Sequence, residues 1–226
     1  MFTNTHSSLR FSAVLLLAIV GALLLAPFGL TGAQAAPLSA RGYTLLGDDK
    51  EGDPNSHPIT RGELAKKVSN AANFEDDPGP QIFQDVDPTH KQYAYINRLA
   101  NRGAVGGFPC GTVPDEPCVE PDNLPYYRPD ADATRGQAAK MIAIAAGFED
   151  EPTGQTFEDI PPGSTFYVWI EQLASRGVAE GFECGTLPNE PCVEPDNRPY
   201  YRPFDPIIKR DANVMIEGTF GDGGEE

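Results

Sequence analysis

Basic residues are scarce in this chain of 226 residues, which has 17 Lys and Arg against 33 Asp and Glu. The formal net charge is −16. A protein this acidic repels nucleic acid and anionic lipid, so neither is expected as a partner. Because cations are few, any cation that recurs at a fixed place in the sequence is informative.

Histidine is also rare, with three residues in all, and only His57 and His90 lie outside the first 35 residues. They stand in different, non-repeating contexts, and neither belongs to a nucleophile motif. No pair of carboxylates is marked by its spacing as the acid and base of a glycosidase. We therefore predict a protein that is not an enzyme and that needs no cofactor.

Long apolar runs are missing except for one at residues 11–30, which Arg10 precedes and Ala-Gln-Ala at 33–35 follows. This pattern is typical of a secretory signal peptide with an Ala-x-Ala cleavage site. The alternative is an uncleaved membrane anchor, since about 20 apolar residues suffice to span a bilayer. Small residues and Pro near the end of the run favour cleavage. We expect residues 1–35 to be removed, leaving an exported chain without a transmembrane segment.

A tandem repeat is the main feature that is present. The block 108–128 recurs almost unchanged as 182–202, an offset of 74 residues. Further positions recur at the same offset: Phe83, Asp85, Tyr93, Ile96, Leu99, Arg102, Gly103 and Gly107. Small repeated units become stable by packing against their neighbours, and they present repeated surfaces to repetitive partners. The repeat favours a binding module over an enzyme.

The four cysteines form two equally spaced pairs inside Pro-rich loops: Cys110, Cys118, Cys184 and Cys192. An even number of cysteines in an exported chain indicates disulfides, and three connectivities are possible. We favour the pairing in which each copy closes its own loop, Cys110 with Cys118 and Cys184 with Cys192. Zinc is the rival interpretation, but neither pair has Cys-x-x-Cys spacing or a following histidine.

Apolar periodicity predicts five helices of two alternating kinds and no β-sheet. Helix one should span about 61–73, with Thr60 and Glu63 forming a capping box. Thr134 and Gln137 repeat that box at the start of a third helix. The second and fourth helices carry an aromatic-Ile-Leu stripe and end at a glycine. The predicted fold class is all-α, with long ordered loops.

The fifth helix is predicted to be short, from about Arg210 to Glu217, with Lys209 in place of the capping Thr. Gly218 follows after about two turns, so this helix depends on packing for its stability. The predicted organisation is a leader at 36–58, a repeat domain at 59–217 and a disordered acidic tail at 218–226. Within the domain we predict a half motif at 59–80, a motif at 81–150 and a degenerate motif at 155–217.

The order of motifs resembles the S-layer homology domain over residues 59–217. The resemblance rests on the order of these features: Phe-x-Asp-Val, an aromatic-Ile-Leu helix, a Gly-rich bend, Tyr-Arg-Pro, and a Thr-Arg that begins the next helix. The resemblance implies tandem helix-loop-helix repeats in a pseudo-symmetric bundle, whose grooves hold secondary cell-wall polymer. The family's usual Thr-Arg-Ala-Glu has become Thr-Arg-Gly-Glu and Thr-Arg-Gly-Gln, and the cysteine loop is an insertion. One helix of the usual three pairs is missing, and a second chain or residues 36–58 are the candidates to replace it.

The resemblance maps the family's Thr-Arg arginine to Arg61, Arg135 and Arg210, and its aspartate to Asp85 and Asp159. Each arginine should lie in the first turn of a helix, where the macrodipole disfavours a cation. The positive charge of the arginine is compensated in one of two ways. Either Asp85 and Asp159 pair with it, or a ligand anion is held by the guanidinium and free backbone N–H groups. Both alternatives stay open at this point.

Tyrosine pairs flank the repeated loops, Tyr126-Tyr127 and Tyr200-Tyr201. We expect Tyr127 and Tyr201 as candidates to stack on sugar rings, with core packing of one ring in each pair as the alternative. The acidic residues after the first loop lack the ligand spacing of a calcium loop. No metal site is predicted.

These expectations define one function and one alternative. The first is a non-catalytic anchor that binds an anionic cell-wall or envelope polysaccharide through grooves between repeats. The second is a structural surface-layer subunit that acts through self-association. In both cases the protein is exported to the cell surface, the cell wall or the surface layer.

Overall fold

A computed structural model describes residues 53–221 and places five α-helices in them. They are α1 Arg61–Ala71, α2 Tyr93–Asn101, α3 Arg135–Ala145, α4 Tyr167–Ser175 and α5 Lys209–Phe220. This part of the chain contains isolated β-bridges but no β-strand, so the all-α prediction is confirmed. The predicted signal peptide, and the tail from residue 222 onward, lie outside the described residues.

The helices α1 and α3 begin at the predicted capping boxes. Thr60 accepts a hydrogen bond from the backbone N–H of Glu63, whose carboxylate accepts one from the N–H of Thr60. Thr134 and Gln137 make the same reciprocal pair at the start of α3. Each box uses two N–H groups that a helix end otherwise leaves without a partner.

The helices pack as two neighbouring pairs and one single helix. α1 packs on α2 and α3 packs on α4, while α5 contacts α1 and α3. Each helix buries one apolar stripe, as residues three and four apart share a face. The largest fully buried side chains are Tyr127, Tyr201, Phe83, Phe157, Ile59, Leu64, Ile96, Leu99, Met141, Ile142, Ile160 and Ile170.

A ring of three backbone hydrogen bonds joins the starts of α1, α3 and α5. The N–H of Ile59 donates to Ile207 at 3.0 Å, that of Ile207 to Ala133 at 2.9 Å, and that of Ala133 to Ile59 at 2.9 Å. Each residue directly precedes an N-cap, and the three are spaced 74 residues apart. The ring is buried and can close only when α5 is in place.

The fifth helix differs from the prediction in register and in length. Its N-cap is Ile208, so Lys209 and not Arg210 occupies the first helical position. Gly218 does not end the helix, since a glycine costs only about 1 kcal/mol and packing on α1 and α3 stabilises the remaining turns. The helix ends at Gly221, which has a φ of 76°. The prediction of a disordered tail from residue 218 was therefore wrong for 218–220.

Residues 53–58 cover the N-terminus of α5. The N–H groups of Lys209 and Arg210 donate to the carbonyls of His57 at 2.9 Å and Asn55 at 3.0 Å. At α1 the same two bonds go to carbonyls in the segment after the first cysteine loop. The end of the predicted leader therefore supplies the two acceptor carbonyls that α1 receives from the segment after the cysteine loop. No helix in residues 53–221 packs on α5 as α2 packs on α1.

Close helix packing explains the glycine in Thr-Arg-Gly. A Cβ atom at Gly62 would overlap the side-chain oxygen of Gln92, and one at Gly136 would overlap the ring of Phe166. Both neighbours are the N-cap residues of the helices that pack there. At the corresponding place in α5 stands Arg210, which has room because no second helix covers α5 in the described chain.

The predicted disulfides are confirmed. Cys110 bonds to Cys118 and Cys184 bonds to Cys192, so each copy closes its own loop and no free thiol remains in residues 53–221. The same region contains no helix with the length and apolar character needed to cross a membrane.

Candidate functional site

Arg61 opens α1 and is buried against Tyr127. Its Nε donates to the Tyr127 carbonyl at 2.9 Å and its Nη2 to the Gly106 carbonyl at 3.0 Å. The Tyr127 hydroxyl donates in return to the Arg61 carbonyl at 3.1 Å. The guanidinium carbon lies 4.4 Å from the centre of the Tyr127 ring. Carbonyl dipoles and an aromatic face thus stabilise a cation in the first turn of a helix.

Arg135 repeats this arrangement at α3. Its Nε donates to the Tyr201 carbonyl and its Nη2 to the Glu180 carbonyl, both at 2.8 Å. The Tyr201 hydroxyl donates to the Arg135 carbonyl at 3.2 Å, and the guanidinium lies 4.5 Å from the ring centre. The two predicted arginines therefore occupy equivalent environments, although they lie on different helices.

The predicted aspartates bind backbone instead of arginine side chains. Asp85 accepts from the N–H groups of Tyr127 at 2.7 Å and Arg128 at 2.6 Å. No ion pair joins Asp85 to Arg61 within the described residues, so this predicted form of compensation was wrong. The carboxylate instead holds Arg128 at a φ of 60° and so positions the Tyr127 carbonyl that Arg61 uses.

The second copy has the same clamp. Asp159 accepts from the N–H groups of Tyr201 and Arg202, both at 2.7 Å, and Arg202 has a φ of 59°. A left-handed backbone conformation costs free energy for any residue other than glycine. Two charge-assisted hydrogen bonds at this turn offset that cost. Both aspartates are positioning residues for the arginine environment.

Tyr127 and Tyr201 are fully buried, with 0% exposure. Their rings cannot stack on a sugar, so that expectation was wrong, and Tyr126 and Tyr200 are the half-buried members of the pairs. Burial raises the pKa of Tyr201 to about 12, although the nearby Arg135 acts in the opposite direction. Burial likewise raises the pKa of Tyr127.

A second arginine follows each buried tyrosine, and the sequence reasoning did not single it out. Arg128 donates to both oxygens of Glu116, at 2.6 and 2.8 Å, and lies 3.9 Å from the Phe108 ring centre. Arg61 lies 5.4 Å from the same ring. The Arg128 hydrogen bonds hold the pKa of Glu116 below its usual value. The detectable signal was the identical Tyr-Arg-Pro in both copies.

Arg61, Arg135 and Lys209 occupy the first position of their helices, and two of these three cations face a carboxylate of another helix. Nη1 of Arg135 lies 3.8 Å from Oδ2 of Asp211, and Nζ of Lys209 lies 3.3 Å from Oε1 of Glu63. Asp211 and Glu63 are both the third residue of their helix. The corresponding residue of α3 is the uncharged Gln137.

Arg61 is the first-turn cation without an ion pair in residues 53–221. It is 6% exposed, and burial lowers its pKa. Arg210 is not equivalent to it, because Arg210 lies one residue further along its helix, with Nε 3.7 Å from Asp211. The third position belongs to Lys209, so the predicted role of Arg210 as the third motif arginine was wrong.

The N–H groups at the start of α1 are not available to a ligand. Those of Arg61 and Gly62 donate to the carbonyls of Ala131 and Pro129, both at 2.8 Å, and that of Glu63 donates to Thr60. An anion at this helix start would therefore be held by the guanidinium and not by free backbone groups. Within the described part of the chain, no group of three His, Cys, Asp or Glu residues is placed to hold a metal ion.

Comparison with known families gives one match. Residues 82–139 match the model of the S-layer homology domain. The match runs from the Phe-x-Asp-Val segment through α2 and the first cysteine loop into α3. No curated protein matches the chain. The match assigns residues 82–139 to the S-layer homology domain family.

Proposed function

We propose that the protein is a non-catalytic surface anchor that binds an anionic envelope polysaccharide, with Arg61 as the main contact to its acidic groups. S-layer homology domains are in general cell-wall anchoring modules. An anchor needs no catalytic group, and its partner is a repetitive polymer of the kind that tandem sites suit.

The proposal rests on a difference between the three cations at the first helical position, whose charges are not equally compensated. Arg135 and Lys209 lie 3.8 and 3.3 Å from a carboxylate oxygen. The direct contacts of Arg61 are carbonyls and aromatic rings, and Asp85 acts on its charge only at longer range. A buried cation without a carboxylate is costly unless an anion completes its surroundings. An acidic group of a polymer can supply that anion through the Nη1 group of Arg61, which makes no hydrogen bond within the described chain.

The remaining site residues have supporting roles in this proposal. Asp85 positions the Tyr127 carbonyl that orients Arg61, and Asp159 does the same for Arg135 through Tyr201. Arg135 contributes more weakly than Arg61, because Asp211 partly neutralises it. Several weak contacts along one polymer hold tightly through effective concentration.

The substitution Gln137→Glu tests the role of Arg61 without removing it. Glu63 shows that glutamate can fill the capping box at this helix position, so the fold should be retained. The new carboxylate would face Arg61 as Asp211 faces Arg135, and we expect binding to a purified acidic envelope polysaccharide to weaken about tenfold or more. Gln137→Ala is the matched control, since it removes the cap contact but adds no charge. Equal loss in both variants, or no loss in either, would contradict the proposal.

The anchoring function itself is tested by retention of a passenger. A fluorescent protein fused to residues 36–226 should bind isolated envelopes and be released by denaturant without glycosidase or peptidase treatment. If the fusion washes off as readily as the fluorescent protein alone, the anchor proposal fails.

A structural surface-layer subunit is the second candidate. It is favoured by α5, which has no second helix packed on it within residues 53–221. A subunit that completes this motif with another chain should associate in solution. Sedimentation of the exported chain at several concentrations distinguishes the two, because a lattice subunit should associate as the concentration rises, whereas an anchor can act as a monomer.

A further inference from the structure

A surface groove of about 410 Å³ lies beside the second cysteine loop. Its apolar lining includes Leu187, Tyr200 and Phe204, and its polar lining includes Asn189 and Asp205. This volume is within the usual range for small-ligand sites, about 300 to 1,000 Å³. The groove lies next to the start of α3, because the carbonyls of its lining residues Pro203 and Asp205 accept from the N–H groups of Gly136 and Arg135. The Arg135 side chain itself is buried.

Phe204 forms an exposed aromatic wall of this groove. It is 71% exposed, the highest value for a large hydrophobic residue in the described chain. Its ring centre lies 6.0 Å from Phe166, which in turn lies 6.4 Å from Trp169. The ring follows the buried Pro203 and lies in a turn closed by a hydrogen bond from the Asp205 N–H to the Arg202 carbonyl. The aromatic face is therefore exposed to solvent on an ordered turn.

In the first copy of the repeat, the cysteine loop forms without an aromatic residue at the position of Phe204. The residue 74 positions before Phe204 is Asp130, and the two loops otherwise share the disulfide and the bidentate Arg–Glu pair. In the first copy Gln92 and Asp130 stand where the second copy has Phe166 and Phe204, so the contact between these two rings explains part of the replacement. It does not explain why 71% of the Phe204 surface stays exposed. An exposed aromatic beside a groove is typical of a binding surface.

The charges at the groove disfavour an acidic ligand. Arg202 donates to both oxygens of Glu190, at 2.7 and 2.6 Å, so its charge is already neutralised. Asp205 is exposed, and both oxygens of Asp159 accept backbone N–H groups. The lining thus combines ring faces with carboxylate and amide groups and has no free cation. Aromatic faces pack against the C–H face of a sugar ring, while carboxylate and amide groups accept hydrogen bonds from its hydroxyls.

We propose that this groove binds an uncharged sugar residue of an envelope glycan, with Phe204 as the stacking residue. The site is distinct in place and in chemistry from the acidic-polymer contact at Arg61. It gives the second copy a specificity that the first copy does not have.

Calorimetric titration with neutral tetrasaccharides tests this inference, using chitotetraose, cellotetraose and maltotetraose on the exported chain. Fluorescence of Trp169 is a second readout, because it is the single tryptophan. We expect at least one of these sugars to bind, Phe204→Asp to weaken it roughly tenfold, and Phe204→Tyr to retain it. Asp130→Ala, at the matched place of the first copy, should leave the affinity unchanged.

Three outcomes would overturn the inference. They are absence of binding to all three sugars, equal loss in Phe204→Asp and Asp130→Ala, and Phe204-dependent binding of only a lysine-rich peptide or an acidic polysaccharide. Gln137→Glu should leave neutral-sugar binding intact. This separates failure at the groove from failure of the acidic-polymer proposal.

Discussion

Arg135 and Tyr201 hold each other through two hydrogen bonds of opposite direction. The arginine side chain donates to the tyrosine carbonyl at 2.8 Å, and the tyrosine side chain donates to the arginine carbonyl at 3.2 Å. The two residues are 66 positions apart, so this pair ties the start of α3 to the end of the second cysteine loop. Arg61 and Tyr127 do the same for α1 and the first loop.

Removal of the Tyr201 hydroxyl should destabilise the protein. Tyr201→Phe leaves the buried carbonyl of Arg135 without this donor, and we expect the free energy of unfolding to fall by about 0.5 to 1.5 kcal/mol. Urea denaturation followed by circular dichroism measures the change. The control is Tyr200→Phe, whose hydroxyl bonds to the Pro191 carbonyl at the exposed loop and should matter less. An equal effect of the two substitutions would contradict this assignment.

Alanine should be tolerated better at Gly62 than at Gly136. A Cβ at Gly136 meets the Phe166 ring, and relief of that overlap should cost about 1 to 3 kcal/mol. At Gly62 the neighbour is the end of the Gln92 side chain, which can rotate away, and alanine improves helix propensity by about 1 kcal/mol. Thermal unfolding of both variants gives the comparison. A more destabilising Gly62→Ala would show that Gln92 is the more rigidly held.

Alkaline titration should reveal two tyrosines that resist ionisation. Burial raises the pKa of Tyr127, and it raises that of Tyr201 from 10.0 to about 12. The contribution of Tyr201 to stability is present below pH 10 and is lost as the pH rises through about 12. That of Tyr127 is likewise lost only as the pH rises well above 10. Ultraviolet absorbance should show that Tyr127 and Tyr201, two of the eight tyrosines, ionise at a higher pH than the solvent-exposed ones. Ionisation of all eight in the folded protein near pH 10 would disagree with this structure.

Acid should loosen the first cysteine loop. Hydrogen bonds from Arg128 lower the pKa of Glu116 below 4.5, so the contact is intact above pH 4.5 and is lost as the pH falls through the lowered value. Amide hydrogen exchange within the loop should therefore accelerate in this acid range. In Glu116→Gln the exchange should already be fast at neutral pH and should respond less to acid. An unchanged acid response in this variant would exclude Glu116 as the titrating group.

Local interactions are the features of this protein that its sequence predicts well. The Thr60 and Thr134 capping boxes depend on residues three apart, and the disulfides close loops between cysteines eight residues apart. The helical stripes depend on apolar residues three and four apart. Such patterns need no information about the rest of the chain, which is why the helix starts of α1 and α3 and the cysteine pairing were predicted.

The tertiary structure decided the features that depend on distant segments. The register of α5 follows from the hydrogen-bonded ring at Ile207, which places Lys209 and not Arg210 beside Glu63. The match on the dipeptide Lys-Arg missed this shift of one residue, although the 74-residue offset of the repeat already aligns Lys209 with Arg61 and Arg135. The contact of Lys209 with Glu63 is what the tertiary structure adds. Likewise, the direction of the Asp85 carboxylate toward backbone N–H groups depends on a turn more than 40 residues away.

The difference between Arg61 and Arg135 illustrates the same division. Their presence in identical Thr-Arg-Gly motifs is a property of the sequence, and so is the replacement of Glu by Gln at position 137. The carboxylate at the third position of one helix compensates the cation at the first position of another. Only the tertiary structure shows this contact, because it requires α1, α3 and α5 to meet at their N-termini. Charge compensation acts over a few ångströms in space, whereas the residues involved are more than 70 positions apart in the chain.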